Sequence, residues 1–265
     1  MKVVSSQAPV RRRSDLATRA LAGGAMIAVA VLALWLGGTA FWLLSVLAAM
    51  LMLAEWAGLM RCSSRQILLA MILFGVPLAF LLPMAGGADR DAVALLVGAA
   101  LLVMVLGNSG RLGAGLLYVG LPTAGLVFLR EQPSGIALTL WTLAIVWATD
   151  IGAYFAGRAI GGAKLAPRLS PNKTWAGLFG GMAGALVIGA LIALIGGLPS
   201  ACLWLAPLMA VLAQMGDLFE SWLKRKAGVK DSGRLLPGHG GALDRLDGVV
   251  PVAVLMSGLV AGGVL

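Results

Sequence analysis

Long uncharged, apolar runs separated by short charged segments make up most of the chain. The uncharged runs cover residues 20–54, 66–88, 92–110, 112–129, 132–149, 174–216 and 248–265. A helix needs about 20 apolar residues to cross ~30 Å of hydrocarbon, so the two longest runs each have room for two spans. Glycine-rich breaks at 37–39 and 196–200 divide them. The pattern therefore predicts an all-α, polytopic integral membrane protein with about nine transmembrane helices.

Composition and charge agree with this architecture. Hydrophobic residues make up 60% of the chain and charged residues only 12%, whereas soluble domains carry about 25% charged residues. A net charge of +9 would suit a nucleic-acid-binding protein. With the N-terminus in the cytoplasm, however, every lysine and arginine except Arg90 and Arg130 falls in a cytoplasmic segment. We therefore expect no nucleic-acid partner and a multi-pass protein of the cell inner (plasma) membrane.

The polar residues divide the chain into three parts. We predict a cytoplasmic tail over residues 1–15, transmembrane helices over 16–149, and a catalytic transmembrane region over 150–265. Two cytoplasmic motifs in the last part, 150–175 and 214–248, hold most of its polar side chains. Residues 217–247 alone contain 5 of the 11 acidic residues and the one histidine. A simple helix connection in a bundle needs only about two to eight residues, so this segment has another purpose.

The first half of this segment places polar side chains on one helix face. If the span that ends near Asp217 continues into the cytoplasm, Asp217, Ser221, Lys224 and Arg225 share that face. A carboxylate at the membrane boundary, followed by cations, could hold a divalent metal and a polyphosphate. Ordinary salt bridges and lysine side chains that reach out of the membrane are the alternative interpretation.

The second half combines a glycine-rich turn with a pair of carboxylates. The turn Pro237-Gly-His-Gly-Gly241 carries little side chain, so its backbone N–H groups can approach an anion, and His239 can donate to a phosphate. Asp244 and Asp247 lie three residues apart with Arg245 between them. Such a pair suits Mg²⁺, which prefers oxygen ligands and substrate phosphates. A helix cap beside a turn is the alternative.

The earlier motif, residues 150–175, contains a third candidate anion site. Ser170, Lys173 and Thr174 precede a span, and hydroxyls and an ammonium at a helix N-terminus attract phosphate. A plain helix cap explains the same residues.

Two acidic residues lie within or at the edge of spans, where charges are costly and therefore candidates for function. Asp150 has an ion pair with Arg158 as its alternative, and Glu55 has one with Arg61 or Arg65.

These residues resemble the signature of the phosphatidate cytidylyltransferases, or CDP-diacylglycerol synthases. Residues 221–247 meet every fixed position of the pattern S-x-x-K-R-x4-K-D-x5-P-G-H-G-G-x-x-D-R-x-D. Similar blocks occur around Asp150 and in the Ser-Pro-Asn-Lys-Thr-Trp stretch, although Ala176 stands where many members carry a glutamate. The resemblance implies that CTP and phosphatidate, drawn from the membrane lipids, react with Mg²⁺ to give CDP-diacylglycerol and diphosphate.

The resemblance and the residue chemistry together give a set of candidate site residues. Catalytic roles are expected for Asp217, Lys224, Arg225, Lys230, Asp231, His239, Asp244, Arg245 and Asp247. Substrate binding is expected for Ser170, Lys173, Thr174, Ser221, Gly240, Gly241, Asp150 and Arg158. The Mg²⁺ ligands are expected to be Asp217, Asp244 and Asp247.

A polytopic transporter of an anionic substrate is the main alternative function. Its ionisable residues would be spread through the spans, whereas here they concentrate at one membrane face. A homodimer is compatible with either function.

Overall fold

Helices form nearly the whole of the described structure, a computed structural model that covers residues 12–85, 87–88, 90–233 and 240–265. The elements are α1 (Arg12–Leu36), α2 (Gly38–Leu59), α3 (Ser64–Phe80), α4 (Arg90–Leu106), α5 (Gly110–Glu131), α6 (Gly135–Ala159), β1 (Lys164–Ala166), β2 (Ser170–Thr174), α7 (Trp175–Gly196), α8 (Ala201–Ala227), α9 (Leu243–Leu246) and α10 (Val249–Ala261). The all-α class predicted from the sequence is confirmed.

Each predicted span corresponds to one helix. In the described part of the chain, however, not all of these helices reach the length that a membrane crossing needs. Gly37 and Gly38 both have positive φ and separate α1 from α2, as the sequence predicts. Among the described residues, five helices are long and apolar enough to cross a membrane: α2, α5, α6, α7 and α8. Shorter apolar helices occur at Gly23–Leu36, Ser64–Phe80 and Val249–Ala261. The count of nine spans therefore stays a prediction.

The outer surface of the helices is apolar, as expected for contact with lipid. On α7, Val187, Leu194 and Ile195 are 66%, 74% and 79% exposed, while the buried positions are glycine and alanine. A soluble protein rarely leaves such a large apolar surface open to water. Together with the long apolar helices, this surface makes the chain a membrane protein.

The core consists of two clusters that meet near α9. Buried side chains of α2, α3, α4 and α5 form the first cluster, with Phe74, Leu96 and Leu116 at its centre. Side chains of α6, α7, α8 and α10 form the second, around Trp141 and Met209. Leu246 of α9 packs against both clusters, so this short helix lies between the two halves of the molecule.

Small residues allow α6 and α7 to pack closely. The buried positions of α7 recur every fourth residue, at Gly177, Gly181, Ala185, Gly189 and Ala193. A Cβ on Gly181 would lie 2.9 Å from the carbonyl oxygen of Thr149 on α6. Helices in lipid associate through this kind of small-residue contact, since no hydrophobic effect drives them together.

A short antiparallel hairpin, β1–β2, connects α6 to α7. Lys164 pairs with Thr174, and Ala166 pairs with Ser170. Residues 170–174 precede the span that begins at Trp175, as the sequence predicts, but they form strand β2, which the sequence did not predict. Thr174 still caps that helix, since its hydroxyl accepts a hydrogen bond from the Gly177 N–H at 3.0 Å.

Candidate active site

The middle of α8 and the start of α10 approach each other at Gly216, and this contact brings two aspartates together. A Cβ on Gly216 would overlap the carbonyl oxygen of Asp247. Because position 216 has no side chain, the backbone of Asp247 can lie directly against α8, beside Asp217. A larger residue at position 216 would separate the two aspartates.

Lys173 reaches Asp217 from the hairpin. Its Nζ lies 2.5 Å from Asp217 Oδ2 and donates a hydrogen bond to Gln214 Oε1 at 2.8 Å. On the other side, the Ser221 hydroxyl donates to Asp217 Oδ1 at 3.4 Å. The Asp217 side chain is 33% exposed, so it is reachable from the surface. The structure thus joins the two sequence motifs, 150–175 and 214–248, in one site.

Asp247 and Asp150 add negative charge around Asp217. Burial raises the pKa of Asp247, and the nearby carboxylates of Asp217 and Asp150 raise it further. The backbone N–H of Gly248 donates to Asp247 Oδ1 at 2.7 Å. The carboxylates of Asp217, Asp150 and Asp247 thus concentrate negative charge in one region, which is suited to a cation.

The arrangement is not a closed metal cage. In the described part of the chain, no three His, Cys, Asp or Glu side chains converge as ligands of one ion. Mg²⁺ does not need such a cage, because it is commonly held by one or two carboxylates together with waters and substrate phosphates.

A second cluster surrounds Lys224, about two turns further along α8 than Asp217. Its Nζ lies 2.5 Å from Glu220 Oε2 and 2.6 Å from Asp244 Oδ1. Glu220 is buried, with 1% of its side chain exposed. Lys224 is therefore the shared ion-pair partner of two carboxylates that the fold largely removes from water.

Hydrogen bonds occupy both oxygens of Asp244. In addition to Lys224 on Oδ1, its Oδ2 accepts from the Gly241 N–H at 2.8 Å, and from the Ser232 N–H and hydroxyl at 2.9 Å each. Burial opposes ionisation of this carboxyl, but these donors prevail and hold its pKa low, at about 2. Asp244 is thus a permanent anion that organises the loop around it.

Glu55, on the distant helix α2, closes this loop from the other side. Its Oε1 accepts from the Ala242 N–H at 2.9 Å, and its Oε2 accepts from the Leu243 N–H at 2.8 Å and the Ser232 hydroxyl at 3.0 Å. The alternative that Glu55 pairs with Arg61 or Arg65 is wrong. Arg61 instead donates to the Ala227 carbonyl at 3.3 Å.

The backbone N–H of Gly241, predicted to bind substrate phosphate, already has a partner, and so do its two neighbours. The Gly241 N–H donates to Asp244, and the two that follow it donate to Glu55. Gly240 lies at positive φ, +80°, which a glycine adopts without strain. His239 lies outside the described residues, as does the rest of 234–239.

Among the described residues, Arg158, Ser170, Arg225, Lys230 and Asp231 form none of the contacts that build these two clusters. Arg158 donates to the Tyr154 hydroxyl at 2.9 Å, so the alternative ion pair with Asp150 is not formed. Ser170 is half-buried at the start of β2. Arg225, Lys230 and Asp231 are exposed and form no ion pair with another described residue. Arg245 is exposed near the end of α9, and its charge interacts with that of Asp150.

Sequence reasoning missed Gln214, Glu220 and Ser232 as site residues. Glu220 stands four residues before Lys224, a spacing that puts both on one helix face. That signal was available. Gln214 and Ser232 gave none, because neither residue type stands out and their partners are distant in sequence.

Comparison with known proteins identifies the family. The model of the cytidylyltransferase family matches residues 17–261. The chain belongs to this family. A phosphatidate cytidylyltransferase of Brucella suis is 42% identical over 254 residues, which cover 92% of each chain. Enzymes of the same name from Pseudomonas aeruginosa and Bacillus subtilis are 40% and 42% identical over 166 and 135 residues, covering 58% and 49% of this chain and 58% and 50% of their own.

The family assignment confirms the resemblance noted in the signature at residues 221–247. It also makes the chain a nucleotidyltransferase, which replaces the transporter alternative.

Proposed function

We propose that the chain is a phosphatidate cytidylyltransferase that makes CDP-diacylglycerol for phospholipid biosynthesis. The observation that carries the proposal is its 42% identity, over 92% of the chain, to an enzyme of that name. The site supports it, because carboxylates and lysines gather at one end of apolar helices. There a lipid phosphate at the headgroup layer and a water-soluble nucleotide can meet.

The reaction joins two anions. A phosphate oxygen of phosphatidate attacks the α-phosphorus of CTP, the bond from that phosphorus to the bridging oxygen breaks, and diphosphate leaves. A phosphate monoester with a second pKa near 6 is already ionised at pH 7, so it needs no strong general base. The barrier is mainly charge repulsion and positioning. Lys173, next to Asp217, is the cation best placed to bind a substrate phosphate.

The donor set fits Mg²⁺. Asp217 is reachable and Asp247 lies beside it, both offer hard oxygen ligands, and their crowded negative charge favours a cation. We place Mg²⁺ on these two residues, with Asp150 close by. Asp244, predicted as a ligand, has both oxygens in hydrogen bonds, so we assign it to holding the loop. When bound, Mg²⁺ would neutralise substrate phosphates and the leaving diphosphate.

The decisive experiment follows radiolabel from α-labelled CTP into lipid. Purified protein in detergent or lipid nanodiscs is incubated with Mg²⁺, with and without phosphatidate. We expect labelled CDP-diacylglycerol and an equal amount of diphosphate only when phosphatidate is present. Label in lipid with diacylglycerol or another acceptor instead, or none at all, would contradict the proposed function.

The metal proposal predicts the behaviour of Asp217→Asn. The change preserves shape but removes an anionic ligand, so we expect kcat to fall by at least ~100-fold, the order of effect of losing one strong transition-state stabiliser. The Mg²⁺ concentration for half-maximal activity should also rise. Asp91→Asn, at the start of α4, is the matched control and should keep wild-type values. An unchanged Mg²⁺ dependence in Asp217→Asn would exclude Asp217 as a ligand.

A further inference from the structure

Glu55 has contacts that no simple structural role of α2 requires. It is the one charged residue in the 22-residue apolar helix Gly38–Leu59. A charge in such a helix is costly unless its hydrogen-bonding capacity is met. Its donors come from residues 177, 187 and 188 positions away in sequence: Ser232, Ala242 and Leu243. A glutamate on the outer surface of α2 would avoid this cost of burial. Glu55 instead accepts hydrogen bonds from residues far away in sequence, which indicates a specific role.

The segment is shaped to admit this carboxylate. A Cβ on Gly233 or on Gly241 would overlap the Glu55 carboxylate oxygens. Both glycines therefore allow the backbone to close around the side chain. Gly241, Ala242 and Leu243 are buried, whereas nearby Lys230 and Asp231 are exposed. Glu55 thus contacts the buried residues that follow the exposed Lys230 and Asp231 along the chain.

Ser232 connects Glu55 to Asp244, the carboxylate that holds the loop. Its hydroxyl lies 3.0 Å from Glu55 Oε2 and 2.9 Å from Asp244 Oδ2. A serine hydroxyl has one hydrogen to donate, so the two carboxylates share it. Asp244 in turn holds Lys224, and the chain continues through α9 to Asp247. A short series of contacts therefore leads from α2 to the proposed metal ligands.

We propose that Glu55 is a positioning residue for catalysis. By binding Ser232 on one side and Ala242 and Leu243 on the other, it fixes Asp244 and the following Asp247 against α8. The N-terminal half of the chain, which lies outside the signature at residues 221–247, thereby becomes part of the catalytic machinery. This inference rests on the proposed function.

Glu55→Gln tests the proposal with little change of shape. The amide keeps one acceptor but turns an N–H₂ group towards a backbone donor, so one bond is lost and the segment shifts. A misplacement of about 1 Å can cost ~100-fold in rate. We expect kcat, measured per monodisperse molecule, to fall by at least about 10-fold, with KM for CTP within about twofold of wild type. A residue needed only for folding would lower the yield of folded protein and leave kcat unchanged.

Ser232→Ala provides a second, independent variant. It removes the hydroxyl that joins Glu55 to Asp244, and we expect it also to lower kcat. If both residues act through one segment, the double variant Glu55→Gln/Ser232→Ala loses no more activity than the worse single variant. Multiplied losses in the double variant would overturn the proposal, as would kcat within twofold of wild type in Glu55→Gln.

Glu131→Gln is the matched control. Glu131 is the last residue of α5, where it accepts a hydrogen bond from the Ala88 N–H at 3.4 Å. The same chemical change there should leave kcat within about twofold of wild type.

Trypsin cleavage needs no substrate, so it tests the positioning role of Glu55 independently of the proposed function. In detergent, trypsin should cleave after Lys230 faster in Glu55→Gln than in wild type or in Glu131→Gln. Equal cleavage rates would contradict the positioning role even if wild-type protein failed to convert phosphatidate.

Discussion

Lys224 shows how single residues make this site possible inside an apolar molecule. Its ammonium lies between Glu220, four residues earlier, and Asp244, twenty residues later. Removing one member of a buried ion pair leaves the other uncompensated, which costs more than the pair contributes. The three residues therefore depend on one another, and a change in any of them disturbs the loop that leads to Asp247.

At the residue scale, a variant of Lys173 tests whether this lysine binds substrate or has only a structural role. Lys173→Ala removes the cation beside Asp217, and we expect kcat/KM to fall by about 100-fold, as for loss of one preorganised charge. Lys164→Ala, an exposed lysine in the same hairpin, is the control and should retain activity. The measurement is steady-state kinetics on monodisperse protein. Near-normal kcat and KM in Lys173→Ala would restrict the site to residues 217–247.

How much of the site the sequence predicted depends on distance along the chain. Asp217 and Ser221 were expected on one helix face, and they are, because α8 continues without a break to Ala227. The contacts of Glu55 could not be predicted from the sequence, because its partners lie 177 to 188 residues away and include backbone groups. Spacing rules describe one element, whereas the site is built from several.

At the element scale, the close contact of α6 and α7 places both Asp150 and the hairpin that carries Lys173. The positions of the helices were predictable from uncharged runs and glycine breaks. Their ends were less so, because α6 and α8 continue past their uncharged runs to Ala159 and Ala227. The hairpin was not predictable. A five-residue strand with a proline at its second position looks in sequence like the start of the helix that follows it.

Gly181→Leu tests this packing. The new side chain would meet the Thr149 backbone, and we expect α6 and α7 to separate, with a loss of about 1–3 kcal/mol in stability and of most activity. Gly98→Leu, at a helical position with open space around it, is the control and should change neither. Thermal unfolding in detergent measures the first effect and label incorporation the second. Wild-type stability in Gly181→Leu would show that the contact is not needed.

At the scale of the whole molecule, the uneven distribution of lysine and arginine predicts its orientation. A phosphatase reporter that works only outside the cytoplasm should be active when fused after Leu265. The same reporter fused after Lys164, in β1, should be inactive, because the hairpin lies at the proposed cytoplasmic face. The reverse pattern would contradict the orientation. An active fusion at both positions would show that the number of spans between them is even.

The length of α8 has a consequence for where the chemistry occurs. Its 27 residues extend for about 40 Å, some 10 Å more than the hydrocarbon is thick. Asp217 lies 16 residues from its start, or about 24 Å along its axis. The length of α8 thus sets how deep in the membrane the reacting phosphates lie. A thicker or thinner bilayer would move the catalytic groups relative to the lipid headgroups, so membrane thickness itself can tune the rate.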